Sequence, residues 1–488
     1  MTKTGRPRPS THLQPTSIAM FDSSRLVELT ALIAYLAVLL WIGVGSARRI
    51  RTSTDYTLAG RNVPWTVLLA TTAATLIGGG ASVGSVSRVY EIGVAAALVT
   101  CAWHLQLIFT GLWAAPRLRA LNLVTVADFF ELKFGRVARA MATAHCLLFL
   151  VGALVAQMAA MATITASIAG IPYGSALLIG AAVTIFYSTV GGMRAVVATD
   201  VLQFVILVGG IAAASGMLIF QQGGFLPLTG QLGQAHLQIT GHWSVTGAVS
   251  LFVAFLLGEM FIPTYTVRCF IARDARQARL GVAGGGLFLL LFLPIATCVL
   301  GLSAAANPEV QLAAAEGVQQ VFPALVRTTF HPAFAGVMIA AMAAAAMSSA
   351  DSVLSCNATV VMQDIYRRHI NPRAGDRTLL RVAEWTTLGT GVAAALLAYL
   401  YQDIISVLVF VYDFWAPGMV LPFLVGLFWH RPERAPAVVA SMAAATAATI
   451  IWLWLDPPGD LGAALFGFAV ALAVFLAALP FTRRRQVG

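Results

Sequence analysis

The sequence predicts an all-α integral membrane protein with about thirteen transmembrane helices. Of its 488 residues, 59% are hydrophobic and 10% are charged, which is more apolar surface than one soluble core could bury. Apolar stretches of about twenty residues, long enough to cross roughly 30 Å of hydrocarbon as a helix, recur from Leu26 to Leu479. The alternating segments typical of a membrane β-barrel are not seen, so we expect helices.

The predicted spans form one membrane domain over residues 24–482. They lie near residues 26 to 45, 65 to 90, 93 to 115, 138 to 169, 173 to 190, 198 to 220, 244 to 269, 279 to 304, 330 to 358, 379 to 400, 403 to 429, 435 to 455 and 460 to 481. We expect a leading helix at 26–45, a first repeat at 65–220, a second repeat at 244–429 and two trailing helices at 435–481. Residues 1–23, of which residues 1–19 are Pro- and Thr-rich, are predicted to be a disordered tail, and residues 483–488 a basic cytoplasmic tail.

Basic residues occur in short clusters between the apolar spans, so the net charge of +10 indicates membrane topology rather than nucleic-acid binding. The clusters lie at residues 48 to 61, 117 to 139, 268 to 279, 367 to 381, 431 to 434 and 483 to 485. With Arg194 they hold roughly twenty-four of the thirty Lys and Arg residues, all in alternate loops. Because basic loops stay in the cytoplasm, we expect a multi-pass inner-membrane protein with its N-terminus outside and its C-terminus inside.

Two of the predicted spans contain residues that interrupt a helix. The second span contains three consecutive glycines, Gly78 to Gly80, and the seventh contains Gly258 followed by Pro263. Glycine weakens a helix, and proline removes a backbone donor. A single glycine motif in a membrane helix also serves close packing. Two breaks that lie five spans apart instead indicate a transporter built from inverted repeats, with its binding site at the breaks.

Three stretches carry a resemblance to a known family. They are AGR at residues 59–61 with AATLIGGG at 73–80, YSTVGGMRAV at 187–196 with Thr199, Asp200 and Gln203, and AAAAMSSADSVLSCNATVVMQDIY at 343–366. These stretches resemble the sodium/solute symporter family. The resemblance implies a LeuT-type fold: one extra leading helix, then two inverted repeats of five helices, with the first and sixth core helices broken. It also implies import of a small organic solute with co-transported sodium, by alternating access and without catalysis.

The resemblance implies a sodium site between the first broken helix and the eighth core helix. Backbone carbonyls of Ala74, Ile77 and Ala345 would be ligands, together with the hydroxyls of Ser348 and Ser349. Sodium is a hard cation that prefers oxygen ligands, and a broken helix frees carbonyls in the membrane. The alternative is that both serines bond back to carbonyls one turn earlier in their own helix.

Two acids near this region are candidates for a second ion site or for the path by which sodium leaves. The resemblance implies this role for Asp200, and Asp351 lies one helical turn from Ser348. Asp200 would alternatively stabilise a helix N-terminus through its negative charge.

A substrate site is expected between the two breaks and the facing spans. The candidate residues are Gly79, Gly80, Ser82, Trp103, His104, Gln157, Glu259, Thr264, Asp413 and Trp415. Glu259 and Asp413 are the acids deepest in apolar sequence, where an ionisable residue is costly and commonly functional. Carboxylates beside aromatic rings suit a cationic or zwitterionic amine or amino acid. A structural ion pair or a backbone contact is the alternative role for both acids.

The nature of the solute has further alternatives. The triple glycine and the MSSADS phrase are similar to the choline-uptake branch of the family. That branch has tryptophans near both breaks, where this chain has Leu76 and Ile262. The missing aromatic residues argue against choline itself. A small organic acid or a vitamin-like anion is the alternative solute.

Two other functional classes fit the sequence poorly. An intramembrane hydrolase using Ser349, Asp351 and His331 would need the three side chains within hydrogen-bonding reach, yet their spacing on one helix separates them. A membrane sensor would need a signalling domain, which we do not find in the sequence. The expected partners are therefore sodium, the solute and the lipid bilayer, with no nucleic acid and no obligatory protein partner.

Overall fold

A computed structural model describes residues 23–482, except positions 79, 231, 242, 316, 430, 456 and 458–461. Within these residues the chain is helical, and a single backbone bridge joins Val63 and Ala272. Gly79 and almost all of both predicted tails lie outside the described residues. Helix α1 begins at Ser23, the last residue of the predicted N-terminal tail.

The chain folds into twenty-two α-helices among the described residues. The first eight are α1 (Ser23–Ala47), α2 (Ser53–Leu58), α3 (Trp65–Leu76), α4 (Ser85–Ile92), α5 (Val94–Phe109), α6 (Ala115–Ala120), α7 (Val126–Phe134) and α8 (Arg136–Ala169). The next eight are α9 (Tyr173–Gln221), α10 (Phe225–Gly230), α11 (Gln234–Leu237), α12 (Val245–Gly258), α13 (Pro263–Ile271), α14 (Ala275–Ala305), α15 (Pro308–Ala314) and α16 (Val321–Thr329). The last six are α17 (Pro332–Val360), α18 (Asp376–Leu400), α19 (Ile404–Trp415), α20 (Leu421–Phe428), α21 (Ala435–Leu455) and α22 (Ala463–Thr482).

Nine helical segments within the described residues are long and apolar enough to cross a membrane, and two bent helix pairs raise that number to eleven. The predicted spans at 173–190 and 198–220 correspond to two helical segments of α9 that meet at a kink at Gly192. Gly192 has φ 48°, and a Cβ atom there would lie 2.6 Å from the Tyr56 ring, so a glycine is needed. Helix α18 covers the predicted span at 379–400 but is not among the nine. The total of thirteen spans stays a prediction.

Both predicted helix breaks are present. Helix α3 ends at Leu76, and a π-helical turn at Gly80–Gly84 leads into α4 at an angle of 66°. Helix α12 ends at Gly258, and α13 begins at Pro263 at an angle of 41°. Between the second pair, Phe261 has φ 60°, a conformation that breaks the helical hydrogen-bond ladder. Both interruptions therefore lie where Gly and Pro predict them.

Helix α17 runs through the centre of the bundle and packs against α8, α9, α1 and α3. Its residues from 338 to 360 are buried, and many are Ala, Ser or Met. Small side chains let neighbouring helices approach closely in a membrane. This packing places the serines of α17 directly against the end of α3.

Candidate substrate and ion sites

A central cavity of about 50 Å³ lies between the two broken helices. Its described lining residues are Thr75, Leu76, Gly78, Ala81, Trp103, Phe149, Ala153, Gln157, Glu259, Ile262, Thr264, Tyr265, Ser349, Val353, Leu408 and Tyr412. The volume holds only a few water molecules, so the helices must move to admit an organic solute. The cavity therefore lies where the sequence predicts a substrate site.

Glu259 is the one charged residue among the described residues that line this cavity. It follows the last residue of α12, where the helix is interrupted. Its Oε1 atom accepts a hydrogen bond from the Tyr412 hydroxyl. Its Oε2 atom has no hydrogen-bond partner among the described residues. The carboxylate is thus positioned by α19 and keeps one oxygen for a ligand.

Aromatic rings form much of the wall around Glu259. The cavity is lined by Trp103, Phe149, Tyr265 and Tyr412. The Trp103 indole nitrogen has no partner among the described residues, and the indole stacks on Phe255 with ring centroids 4.5 Å apart. Ring faces attract cations, so this wall and the carboxylate favour the same kind of ligand. Sequence reasoning missed Phe149 and Tyr412, although Tyr412 adjoins the candidate Asp413.

Asp413 and Trp415 lie outside the central cavity. The Asp413 carboxylate accepts a hydrogen bond from the backbone N–H of Ala464 at the start of α22, at 2.9 Å. The Trp415 indole donates to the carbonyl of Met260 at 2.9 Å and so supports the second break from behind. Asp413 therefore has the backbone contact that was the alternative to substrate binding.

Of the remaining substrate candidates, some line the cavity and others do not. Gln157 and Thr264 line the cavity. Ser82 is not among the lining residues, and its hydroxyl donates to the carbonyl of Gly78 at 2.8 Å. His104 is fully buried and also not among them. Gly80 begins the π-helical turn that follows the first break.

A larger vestibule of about 430 Å³ adjoins the cavity. Trp103 and Phe255 line the vestibule, and Trp103 also lines the cavity, so their stacked rings form a partition. At the other end of the bundle, Arg139 forms ion pairs with Asp128, Glu131 and Asp364. The cavity is therefore close to the vestibule on the side of Trp103.

One of the predicted sodium ligands, Ser349, lies at the end of α3. The Ser349 hydroxyl donates to the carbonyl of Thr75 at 2.7 Å. This carbonyl lies in the last turn of α3, where the helix ends and leaves carbonyls without a helical partner. The hydroxyl also lies against Gly78, where a Cβ atom would collide with it. Ala74, Ile77 and Ala345 are fully buried.

Ser348 and Ser349 both bond to other helices, which argues against back-bonding within α17. Ser348 donates to the Asp200 carboxylate at 2.5 Å, and Ser349 donates to α3. The interpretation that these hydroxyls are satisfied by their own helix is therefore wrong. Their orientation results from the close approach of α3 and α9 to α17.

Asp200 lies in a buried cluster with Arg268, which the sequence placed in a cytoplasmic loop. The Arg268 guanidinium is fully buried and lies 3.2 Å from the Asp200 carboxylate. Its other terminal nitrogen donates to the carbonyl of Thr264 at 2.7 Å. The cytoplasmic placement of Arg268 is wrong because α13 begins at Pro263, and the arginine side chain reaches back along the helix into the bundle. Asp200 lies eight residues after the kink at Gly192, beyond the first turn of the second segment of α9, which contradicts a role at a helix N-terminus.

Asp351 has its own partners. Its carboxylate accepts hydrogen bonds from the hydroxyls of Tyr187 at 3.0 Å and Thr199 at 3.4 Å. Tyr187 and Thr199 belong to α9, so Asp351 ties α17 to that helix. His331 lies at the N-terminus of α17, eighteen residues before Ser349, a separation of about 27 Å along a helix. The structure therefore provides no hydrolase triad from these residues.

Comparison with known proteins gives consistent results. A family model described as the sodium:solute symporter family matches residues 56–444. The sodium/glucose cotransporter of Vibrio parahaemolyticus is 26% identical over 457 residues, covering 86% of this chain and 83% of that protein. The high-affinity proline transporter PutP of Bacillus subtilis is 26% identical, covering 89% and 94%. A structure of a sodium-coupled sialic acid symporter aligns with a TM-score of 0.82 at 21% identity, over 95% of this chain and 98% of that one. The predicted fold and family are confirmed: this chain belongs to the sodium:solute symporter family.

Proposed function

We propose that this protein is a sodium-coupled symporter that imports a small organic solute through the central cavity. Family membership supports this function, as do the names of the relatives, which transport glucose or proline. The two broken helices that enclose the cavity provide the kind of site at which such transporters bind ions and solutes. The pair of breaks around one cavity is the observation that carries the proposal.

The coupling sodium ion binds between α3 and α17 in this proposal. Its ligands are the carbonyls of Ala74, Ile77 and Ala345 and the hydroxyls of Ser348 and Ser349. The hydrogen bond from Ser349 to the freed carbonyl of Thr75 supports the site, because it holds a hydroxyl oxygen beside the helix end. An ion at this position would replace that bond and join the two helices. It would then favour whichever conformation brings α3 and α17 together.

The solute carries a positive charge in this proposal, as an amine or a zwitterionic amino acid. Glu259 is the only Asp, Glu, Lys or Arg residue among the described lining residues, and its Oε2 atom has no hydrogen-bond partner in the described part of the chain. The aromatic wall adds attraction for a cation. An organic acid or vitamin-like anion would meet the Glu259 carboxylate without a basic side chain in the described lining. This arrangement disfavours the anionic alternative.

Uptake into proteoliposomes tests both parts of the proposal. Proline, choline, glucose and pantothenate should be supplied in turn, with and without an inward sodium gradient. We expect sodium-dependent uptake of an amine or zwitterion and none of pantothenate. Uptake that is the same with and without the gradient would refute sodium coupling.

The role of Glu259 is tested in the same assay with the solute that gives uptake. Glu259→Gln should raise the apparent KM by roughly thirtyfold or more, since an ion partner in a buried site contributes about 2 kcal/mol. Asp413→Asn is the comparison variant, because Asp413 lines the vestibule and not the cavity and should change the apparent KM less. An unchanged KM in Glu259→Gln, at equal expression, would mean that the carboxylate does not recognise the solute.

The orientation in the inner membrane is also proposed, with the N-terminus outside and the C-terminus in the cytoplasm. Gly375, between α17 and α18, and Gly230, at the end of α10, both have open space around the position of a Cβ atom. Each can carry a cysteine in a background without native cysteines. A membrane-impermeant maleimide should label Gly230→Cys in intact cells and Gly375→Cys only in inside-out vesicles. The opposite pattern would reverse the topology.

A further inference from the structure

The terminal nitrogen Nη2 of Arg268 lies inside a shell of side-chain oxygens that we call the oxygen cage. The cage consists of Thr71 Oγ1 at 3.3 Å, Asp200 Oδ2 at 3.2 Å, Ser352 Oγ at 2.7 Å and Thr75 Oγ1. These residues come from three helices, α3, α9 and α17. All five side chains are buried, and Arg268, Asp200, Thr71 and Ser352 have no exposed surface.

The cage has more acceptor oxygens than the nitrogen has hydrogens. Nη2 carries two hydrogens, whereas four oxygens surround it. Several neutral hydroxyls and one carboxylate around a positive centre resemble the oxygen shell that a hard metal cation prefers. The positive charge is supplied here by the protein itself.

The cage is continuous with the proposed sodium site. Ser348 donates a hydrogen bond to the Oδ1 atom of Asp200, whose Oδ2 atom belongs to the cage. Thr75 takes part in both sites: its hydroxyl belongs to the cage, and its carbonyl accepts the hydrogen bond from Ser349. A second ion bound at Asp200 would have to share the carboxylate with the guanidinium. Two positive charges a few ångströms apart repel strongly in a buried site.

We propose that Arg268 is a tethered cation that fills a second ion site at Asp200, so that this protein couples transport to a single sodium ion. The inference rests on the proposed sodium symport. In this inference, Arg268 sets the number of sodium ions that are transported with each solute molecule. Removal of the guanidinium then exposes a cation site formed by Asp200, Ser352 and the two threonines.

The test compares sodium binding in the wild type and in Arg268→Met, which removes the charge and keeps an unbranched side chain. Radioactive sodium should bind at one equivalent in the purified wild-type protein and at two in Arg268→Met. The Hill coefficient of sodium for uptake or binding should rise from about 1 towards about 2, because it is limited by the number of coupled sites. Sodium should also raise the melting temperature of Arg268→Met more than that of the wild type.

Two further variants separate charge from structure. Arg268→Lys keeps a positive charge and should bind one sodium ion. Arg268→Met with Asp200→Asn removes both charges and should also bind one, since the cage then lacks its carboxylate. If the unpaired carboxylate prevents Arg268→Met from folding, Arg268→Gln removes the charge and keeps a hydrogen-bond donor for Asp200; it should bind two sodium ions, and one ion bound to it would overturn the inference.

The outcomes distinguish the inference from the proposed function. Two sodium ions bound to the wild type would overturn the inference and leave sodium symport intact. One ion bound to folded Arg268→Met, with an unchanged Hill coefficient, would overturn it as well. Wild-type uptake that does not depend on sodium would instead refute the proposed function.

Discussion

Replacement of Ser349 by alanine should weaken sodium binding more than it weakens the fold. Ser349 is 4% exposed, and its hydroxyl lies 2.7 Å from the carbonyl of Thr75. A sodium ion at this position would lose one oxygen ligand in Ser349→Ala. Hydrogen bonds to charged groups contribute about 1.5–3 kcal/mol, and we take similar values for a hydroxyl ligand of an ion. The sodium concentration for half-maximal uptake should therefore rise tenfold or more, since about 1.4 kcal/mol corresponds to a factor of ten.

Ser349→Ala tests the assignment of a sodium ligand more directly than Ser348→Ala does. The Ser348 hydroxyl donates to the buried carboxylate of Asp200, so its removal also leaves that acid with one partner fewer. The double variant Ser348→Ala with Ser349→Ala should have the larger effect on sodium dependence. Its interpretation requires the single Ser349→Ala variant beside it.

The assay is solute uptake into proteoliposomes across a sodium series, together with the sodium-dependent shift in melting temperature. Ser355→Ala is the matched control: Ser355 is a buried serine on the same helix, and its hydroxyl has no hydrogen-bond partner among the described residues. The control should keep the wild-type sodium dependence. An unaltered half-saturating sodium concentration in Ser349→Ala, at normal expression, would refute the ligand assignment.

Two further predictions concern stability. Gly258→Ala should lower the melting temperature and uptake, because the added Cβ atom would lie 2.5 Å from the Tyr412 ring and overpacking costs about 1–3 kcal/mol. Gly209→Ala is the control: its Cβ atom would meet no atom within 4 Å, so it should change neither quantity. Burial is the largest single influence on Asp55 and raises its pKa, but the hydrogen bonds from Arg194 at 2.5 Å, Thr52 and Arg51 together lower the pKa more, so the net pKa is lowered. The stability that Asp55 contributes is therefore present above its unfolded pKa of about 3.9 and is lost as pH falls through the lower folded value. Asp55→Asn should melt below the wild type at pH 7, and the difference should shrink below about pH 4; a constant difference would contradict this.

The two helix breaks were predictable because their causes are local. Gly78 and Gly80 disfavour a continuous helix, and Pro263 lacks the backbone donor that a helix needs. The chain therefore interrupts its helices at these places whatever packs beside them. A resemblance in the sequence singled out the two serines proposed as sodium ligands, and the structure places Ser349 at the end of the first broken helix.

The choice between Glu259 and Asp413 could not be made from the sequence. Both acids lie in apolar stretches beside aromatic residues. Neighbouring residues of a helix point about 100° apart, so the rotation of α19 turns Tyr412 towards the cavity and Asp413 away from it. That rotation is set by the helices that pack against α19, which the local sequence does not specify.

The sequence by itself determined that the protein is helical, spans the membrane and has two paired breaks, because hydropathy and backbone preferences act over a few neighbouring residues. Only the tertiary structure decided which groups meet inside the bundle. Arg268 and Asp200 are 68 residues apart, and the sequence placed the arginine in a loop. A buried charge acquires its partner through the approach of distant helices, and the folded bundle brings α13, α9 and α17 together around one ion pair.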